Sequence, residues 1–301
     1  MTYVLKASVP VQSNPAPVLY SNGSIWVGNG GSASISRIDP ATNTVTATIT
    51  AVGIFVGLSA LAEDDLGNVW VASGDFRDGS VSRIDPATNT VTASLYTTNG
   101  LQPFGIGMGD GEMWVSFNQS TGRYRRFNTT TLAETYSSGT GLSYGYNFVD
   151  DGTNVWLYGA ALTAIHKIDP ATNTVTTLTT GITNGSGFLH YAFGYVWSVT
   201  SSGLQRIDPT TNALSTITLS ISTVDGVTDD GTNIIAADIA GEIYVVDPIS
   251  FTVKQTITTV NRWWGITFGG GSIWANAYGP SGSCKRFSPL PVGWVRGHAW
   301  G

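Results

Sequence analysis

The sequence predicts an all-β chain, a seven-bladed β-propeller of four-stranded antiparallel blades. Three observations predict it. First, Arg37-Ile38-Asp39-Pro40-Ala41-Thr42-Asn43-Thr44-Val45 returns almost unchanged from Arg83 and from Lys167, with looser copies from Arg126, Arg206 and Val245 and a relic at Arg286-Phe287-Ser288-Pro289. Second, an apolar–Trp pair precedes each copy: Ile25-Trp26, Val69-Trp70, Met113-Trp114, Val155-Trp156, Val196-Trp197 and Ile273-Trp274, with Ile234-Ile235 in the sixth unit. Third, the units recur at roughly 40 residues, the length of one propeller blade.

Each unit reads as four strands. A short first strand leads to a hairpin turn such as Asn22-Gly23, Asp110-Gly111, Asp151-Gly152 or Asp230-Gly231, the strongest short hairpin signal. The Trp strand follows, then a variable loop, then the Arg-Ile-Asp strand. In the Asp-Pro-Ala-Thr-Asn-Thr turn, Asp39 accepts local backbone hydrogen bonds, Pro40 fixes φ and Asn43 tolerates the left-handed conformation. These aspartates are therefore turn chemistry. The fourth strand alternates Val45, Ala47 and Ile49 with threonines, the period-two pattern of a half-buried strand. The paired Asp64-Asp65, Asp150-Asp151 and Asp229-Asp230 precede hairpin turns and are expected to be solvated there.

The blades run at about 17–49, 57–95, 103–137, 144–179, 187–219, 224–257 and 263–288. The last lacks its Thr-rich fourth strand. Leu5-Lys6-Ala7-Ser8-Val9, within 3–11, has that strand's pattern and no blade of its own. It is expected to complete the seventh blade and close the ring, leaving no free sheet edge there. Residues 289–301 lie beyond the ring and are apolar for a tail. They read either as packing back on the propeller wall or as a docking segment for other structural proteins, with Trp294, Arg296 and Trp300 as the expected docking contacts.

Composition narrows the partners. Only 11% of the 301 residues are charged, against roughly 25% in an average globular protein. The net charge is −6 and the 14 basic residues are scattered, so nucleic acid is not an expected partner. Cys284 is the only cysteine, which excludes an intrachain disulfide. No basic-then-apolar leader is seen in Met1 to Val11 and no run of about 18 apolar residues exists. An extracellular or virion-associated location, without membrane insertion, is the expectation, with a cytoplasmic one left open.

The Ile-Asp-Pro-Ala-Thr-Asn-Thr-Val turn resembles the YVTN-type β-propeller repeat. The stretch Trp264-Gly265-Ile266-Thr267-Phe268-Gly269-Gly270-Gly271-Ser272-Ile273-Trp274 is similar to repeats of the virginiamycin B lyase family of seven-bladed propellers. The resemblance covers about residues 3 to 288. It implies the fold, and it implies Mg²⁺ chemistry with His and Glu near the axis of the late blades. That part does not carry over. The residues three after the blade tryptophans are Asn29, Ser73, Phe117, Gly159, Thr200 and Ala277, and the histidines are His166, His190 and His298. No catalytic residue, metal ligand or cofactor is therefore expected.

In a propeller, the loops leading into each innermost strand share one face with the loops between the second and third strands. That face is variable here, and variable loops on a repetitive scaffold are where binding resides. It carries Phe55, Phe104, Tyr144, Tyr146, Trp263 and Trp264, with His190, Asp225 and Arg262 as polar company. Tyr278 lies in a loop between second and third strands of that face. Aromatic faces beside such groups suit sugar rings. Adjacent strand residues point to opposite sides, so Trp263 and Trp264 cannot both enter one core. The sequence thus reads as a non-enzymatic binding, display or structural propeller of an extracellular or virion assembly, such as a phage tail or head appendage, with surface carbohydrate as the candidate ligand. The alternative is a lyase- or hydrolase-type enzyme with an unrecognised axial site.

Overall fold

In each of seven sheets the four strands run antiparallel, and in six of them the chain moves from the innermost strand outward. The structure is a computed structural model and describes residues 2–50, 54–74, 79–97, 101–118, 123–138, 145, 147–159, 162–182, 185–219 and 224–290. Blade 1 shows the pattern: Pro15–Ser21, Ser24–Asn29, Ser34–Asp39 and Thr44–Ile49. Its second strand is buried throughout, while its fourth is largely exposed. The Thr-rich alternation thus makes the outer, uncharged rim.

Blade 7 is assembled from both chain ends. Trp263–Gly269, Ser272–Ala277 and Ser283–Pro289 are followed, on the outside, by Tyr3–Pro10. The pairing runs from Tyr3 opposite Pro289 to Pro10 opposite Ser283, with a bulge between Leu5 and Ala7. The sequence-predicted closure is the observed one.

The recurring Trp and Arg form one device. Each blade tryptophan donates its indole N–H to the first hairpin turn of its own blade. The acceptors are the carbonyls of Ser21, Gly109, Ala192 and Gly269, and the carboxylates of Asp64 and Asp151. Over each indole, at 4.6 to 6.0 Å, sits the cation from the same blade's third strand: Arg37, Arg83, Arg126, Lys167, Arg206 or Arg286. That cation reaches onward to the next blade's outer turn. Arg37 donates to the Pro86 carbonyl, Arg83 to Thr129, Arg126 to Pro170, Lys167 to Pro209 and Arg206 to Pro248. Arg286 closes from blade 7 to blade 1 at Pro40 and the Asn43 side chain. Stacking on a desolvated ring contributes about 1–2 kcal/mol and a charged hydrogen bond about as much again.

Two expectations change. Asp64 is not solvated. It is 6% exposed and accepts from the Trp70 indole at 2.8 Å and from the Leu66 and Asn68 amides. Asp151 holds the Trp156 indole at 2.7 Å. Burying an indole N–H without a partner costs free energy, and in these two blades a turn carboxylate supplies that partner.

The junction between blades 6 and 7 lacks the device. Ile235 and Val245, both buried, stand where the Trp and Arg stand elsewhere. Blade 7 has no outer turn to receive a cation, because its third and fourth strands come from opposite ends of the chain. Tyr3 closes the gap. Its hydroxyl donates to Asp230 at 2.6 Å, its amide to Gln255 Oε1 at 2.7 Å, and its carbonyl accepts from Gln255 Nε2 at 2.8 Å. Its ring is buried with Trp263, Phe287 and Ile235. Asp230 is the counterpart of Asp151 in the Asp-Asp-Gly-Thr-Asn turn, so a phenol takes the place of an indole.

Candidate functional site

The innermost strands are irregular where they begin. Register shifts fall between Pro15 and Val18, Pro103 and Gly105, Gly185 and Leu189, Val224 and Val227, and Trp263 and Ile266. A bulge bends a strand and re-aims the side chain it carries. Phe104, Asp225 and Trp264 occupy the same place in three of these bulges, each directly before a glycine. At Gly265, φ is +115° and a Cβ would lie 2.3 Å from the Ala16 carbonyl oxygen, so no side chain fits there.

In blade 7 the bulge separates the two tryptophans. Trp263 is fully buried, in the core shared by blades 6 and 7, with its ring edge-on to Phe287 at 5.8 Å and 83°. It is a core residue, a correction to its expected place on the binding face. Trp264 is half-buried and faces Tyr278, with ring centroids 5.1 Å apart and planes at 32°. The exposed Arg262 guanidinium lies 5.5 Å from the Trp264 ring and 5.8 Å from the Tyr278 ring. Tyr278 is 40% exposed.

The loop carrying Tyr278 is tied to both blade 7 and blade 1. The Tyr278 amide donates to the Arg262 carbonyl at 2.9 Å, and the Gly279 carbonyl accepts from Asn14 of blade 1, also at 2.9 Å. Blade 7's lead-in, its loop between second and third strands, and blade 1's lead-in therefore form one braced corner. A ligand meeting it finds the two rings and the cation already positioned, and preorganisation of this kind lowers the cost of binding.

Two other expected site residues serve the scaffold. Asp225 is 3% exposed and accepts from the Gly265 amide at 2.8 and 3.0 Å, tying blade 6 to blade 7. Burial pushes its carboxyl up to about 7, against the pull of the Gly265 bond and with help from the charge of Asp238. His190 lies near the turn end of its strand, two residues before Ala192, and its Nε2 is 2.7 Å from Asp229. The hydrogen bond from His190 holds the Asp229 carboxyl below the usual range. His190 and Asp225 are thus engaged in separate places and not at one mouth. Phe55 and Phe104 are half-buried at the lead-ins of blades 2 and 3. Tyr144 and Tyr146 of blade 4 lie outside the described residues, as do Trp294, Arg296 and Trp300 of the tail.

Down the axis runs a cavity of about 240 Å³. Its wall is made of innermost-strand segments around Val18, Leu61, Leu189, Val227 and Ile266, with Asn147, His190, Thr228 and Thr267 among its polar members. Asn147 is spent on the blade 4–5 junction, where its amide exchanges two hydrogen bonds with the Leu189 backbone at 2.7 and 2.9 Å. Among the described residues, no cluster of three or more His, Cys, Asp or Glu side chains is placed to hold a metal ion.

Sequence reasoning missed what the motif Arg does. The signal was present: the one repeat that loses its Trp, at Ile235, also loses its Arg, at Val245.

No family model matches the chain, and no curated protein matches its sequence. Its fold does have solved counterparts. A virginiamycin B lyase from Staphylococcus aureus superposes with a TM-score of 0.78 at 15% identity, over 96% of this chain and 100% of that one. A streptogramin B lyase gives 0.76 at 18% identity, over 95% and 98%. The Cps50 (Swd1) β-propeller domain of Myceliophteria thermophila gives 0.76 at 9% identity, over 96% and 100%. At these identities the likeness is one of fold.

Proposed function

We propose that the chain is a non-enzymatic recognition module, displayed in an extracellular or virion assembly, that binds carbohydrate at the corner formed by Arg262, Trp264 and Tyr278. The observation that carries this reading is the braced stack of two partly open rings under an exposed guanidinium. The C–H face of a sugar stacks on an aromatic ring, and its hydroxyls accept from a guanidinium. The uncharged, Thr-rich rim suits a protein exposed to its surroundings, and a phage tail or head appendage is the setting that fits it.

The test is saccharide-array and cell-surface binding by the intact protein, beside Trp264→Ala and Tyr278→Ala. Both positions are partly exposed, so the variants keep the fold. Saturable binding that either variant weakens at least about tenfold supports the reading, since a central aromatic carries about that share of a small site. Binding unchanged in both variants, or none at all from folded protein, overturns it.

A second reading, an enzyme of lyase or hydrolase type with an axial site, draws on the axial cavity and on two structural neighbours being lyases. It requires the His190 imidazole to serve a ligand in place of Asp229. Stoichiometric divalent-metal binding lost in His190→Ala would favour it.

A further inference from the structure

The junction that lacks the Trp–Arg device also carries a groove. It is about 350 Å³ and opens on the turn face between blades 6 and 7, among Tyr3, Asn233, Lys254, Phe268, Gly271 and Pro289. At the neighbouring junction the equivalent space is filled. Pro40, from blade 1's outer turn, lies so close over blade 7's hairpin that a Cβ on Gly270 would come within 3.0 Å of it. Over blade 6's hairpin no outer turn arrives, because blade 7's third and fourth strands come from opposite ends of the chain. The groove is the seat of an outer turn that blade 7 cannot supply.

The chain leaves the ring at the lip of this groove. Pro289 is one of its walls, and the next residue, Leu290, donates its amide to the Thr2 carbonyl at 2.8 Å. Residues 291–301 follow and lie outside the described residues. Trp294 is four residues beyond Leu290, a reach of up to about 14 Å. The segment brings a Trp and an Arg, Trp294 and Arg296, the two residue types that blade 6 has lost. The blade 6 hairpin carries the carboxylates of Asp229 and Asp230, already bonded to His190 and Tyr3, and Arg296 is the segment's only Lys or Arg.

We infer that residues 291–301 dock in cis in this groove, with Trp294 in the seat and Arg296 against the acidic hairpin of blade 6. The tail then serves as the seventh outer turn. This does not depend on the carbohydrate reading, since the groove and the Trp264 corner are on opposite faces.

Hydrogen exchange on the full chain tests it, because Trp294→Ala lies beyond the ring and leaves the propeller to fold. In the wild type, amides of 230–233 and 268–271 are expected to be protected. In Trp294→Ala, and in a chain ending at Leu290, they are expected to exchange at least about tenfold faster, while the hairpin at 110–112 is unchanged. Equal exchange in all three proteins overturns the inference. Protection that disappears on dilution, with a dimer at high concentration by sedimentation, also overturns it and gives the groove to the tail of a second copy.

Discussion

Between blades 7 and 1, Arg286 lies 5.5 Å over Trp274 and donates to Pro40 and Asn43 of the next blade. Between blades 6 and 7, Ile235 and Val245 hold those positions, and Tyr3 reaches back to Asp230 and Gln255. The first junction fixes a cation on an indole and offers it a neighbour's carbonyl. The second fixes a phenol on a carboxylate. The difference teaches that a blade's Trp and Arg are written for the blade that follows. Where the follower has no outer turn, a buried guanidinium would have no acceptor, and an unpaired buried charge is strongly destabilising. Apolar residues replace it, and the N-terminal strand takes over the closure.

The largest effect should come from removing that strand. Deleting residues 2–10 strips blade 7 of its outer strand and takes Tyr3 from the core. The loss is comparable to the whole stability of a domain, about 5–15 kcal/mol, so no cooperative melt is expected by circular dichroism. A cooperative melt near the wild-type temperature would show that closure is not what holds the ring. Next comes the most heavily bonded cation. Arg126 is 7% exposed and, besides Pro170 and Asn173, meets Glu112 at 2.5 Å and Asp110 at 3.3 Å. Arg126→Ala should cost about 3–5 kcal/mol in denaturant titration. Val245→Arg should also destabilise, although it restores the motif's cation, because Ile235 gives it no indole to lie on and blade 7 has no outer turn of its own to accept from it. A stabilised Val245→Arg would refute the account of why blade 6 differs.

The contrast marks what the sequence could and could not say. Blade number, strand order and closure were legible, because period-two alternation and turn chemistry are local and were repeated seven times. The variable face was legible as a place, and Arg262, Trp264 and Tyr278 were among its residues. Which tryptophan faces out was not, because the bulge between Trp263 and Ile266 sets it and a bulge leaves little trace in composition. Asp225 and His190 read as polar groups near a mouth. Their partners, Gly265 and Asp229, lie about 40 residues away in the next blade, and pairings between blades have no local signal.

The blade 6–7 junction should also respond to pH differently from the rest. Asp225 goes from about 3.8 when unfolded to about 7 when folded, through burial. Between those values the folded chain holds a proton that the unfolded chain has lost, so this group's contribution falls as pH rises through the window. Above pH 7 the deficit is constant, at about 4 kcal/mol. His166 in blade 4 has the opposite sign. Burial lowers it to about 4 from 6.5, so its contribution falls as pH drops through that range. Asp225→Asn keeps an oxygen for the Gly265 amide and cannot ionise. It should be the more stable protein at pH 8 and should reveal the His166 slope below pH 6.5. Parallel stability–pH curves for the two proteins would remove Asp225 as the source.

The smallest effect isolates one bond. Tyr3→Phe keeps the ring among Trp263, Phe287 and Ile235 and removes only the hydroxyl on Asp230. A hydrogen bond to a carboxylate contributes about 1.5–3 kcal/mol net, and Asp230 keeps bonds from the Asn233 amide and side chain, so a loss at the lower end, about 1.5 kcal/mol, is expected. Trp156→Phe is the matching change in blade 4, removing the indole N–H on Asp151 together with part of the surface under Lys167. It should cost more than Tyr3→Phe, because there the bond and the cation–π seat are lost together. Double-mutant cycles with Asp230→Asn and Asp151→Asn separate the bonds from the packing. Equal coupling energies in the two cycles would mean that phenol and indole hold the turn alike, leaving the cation alone to distinguish the six junctions from the seventh.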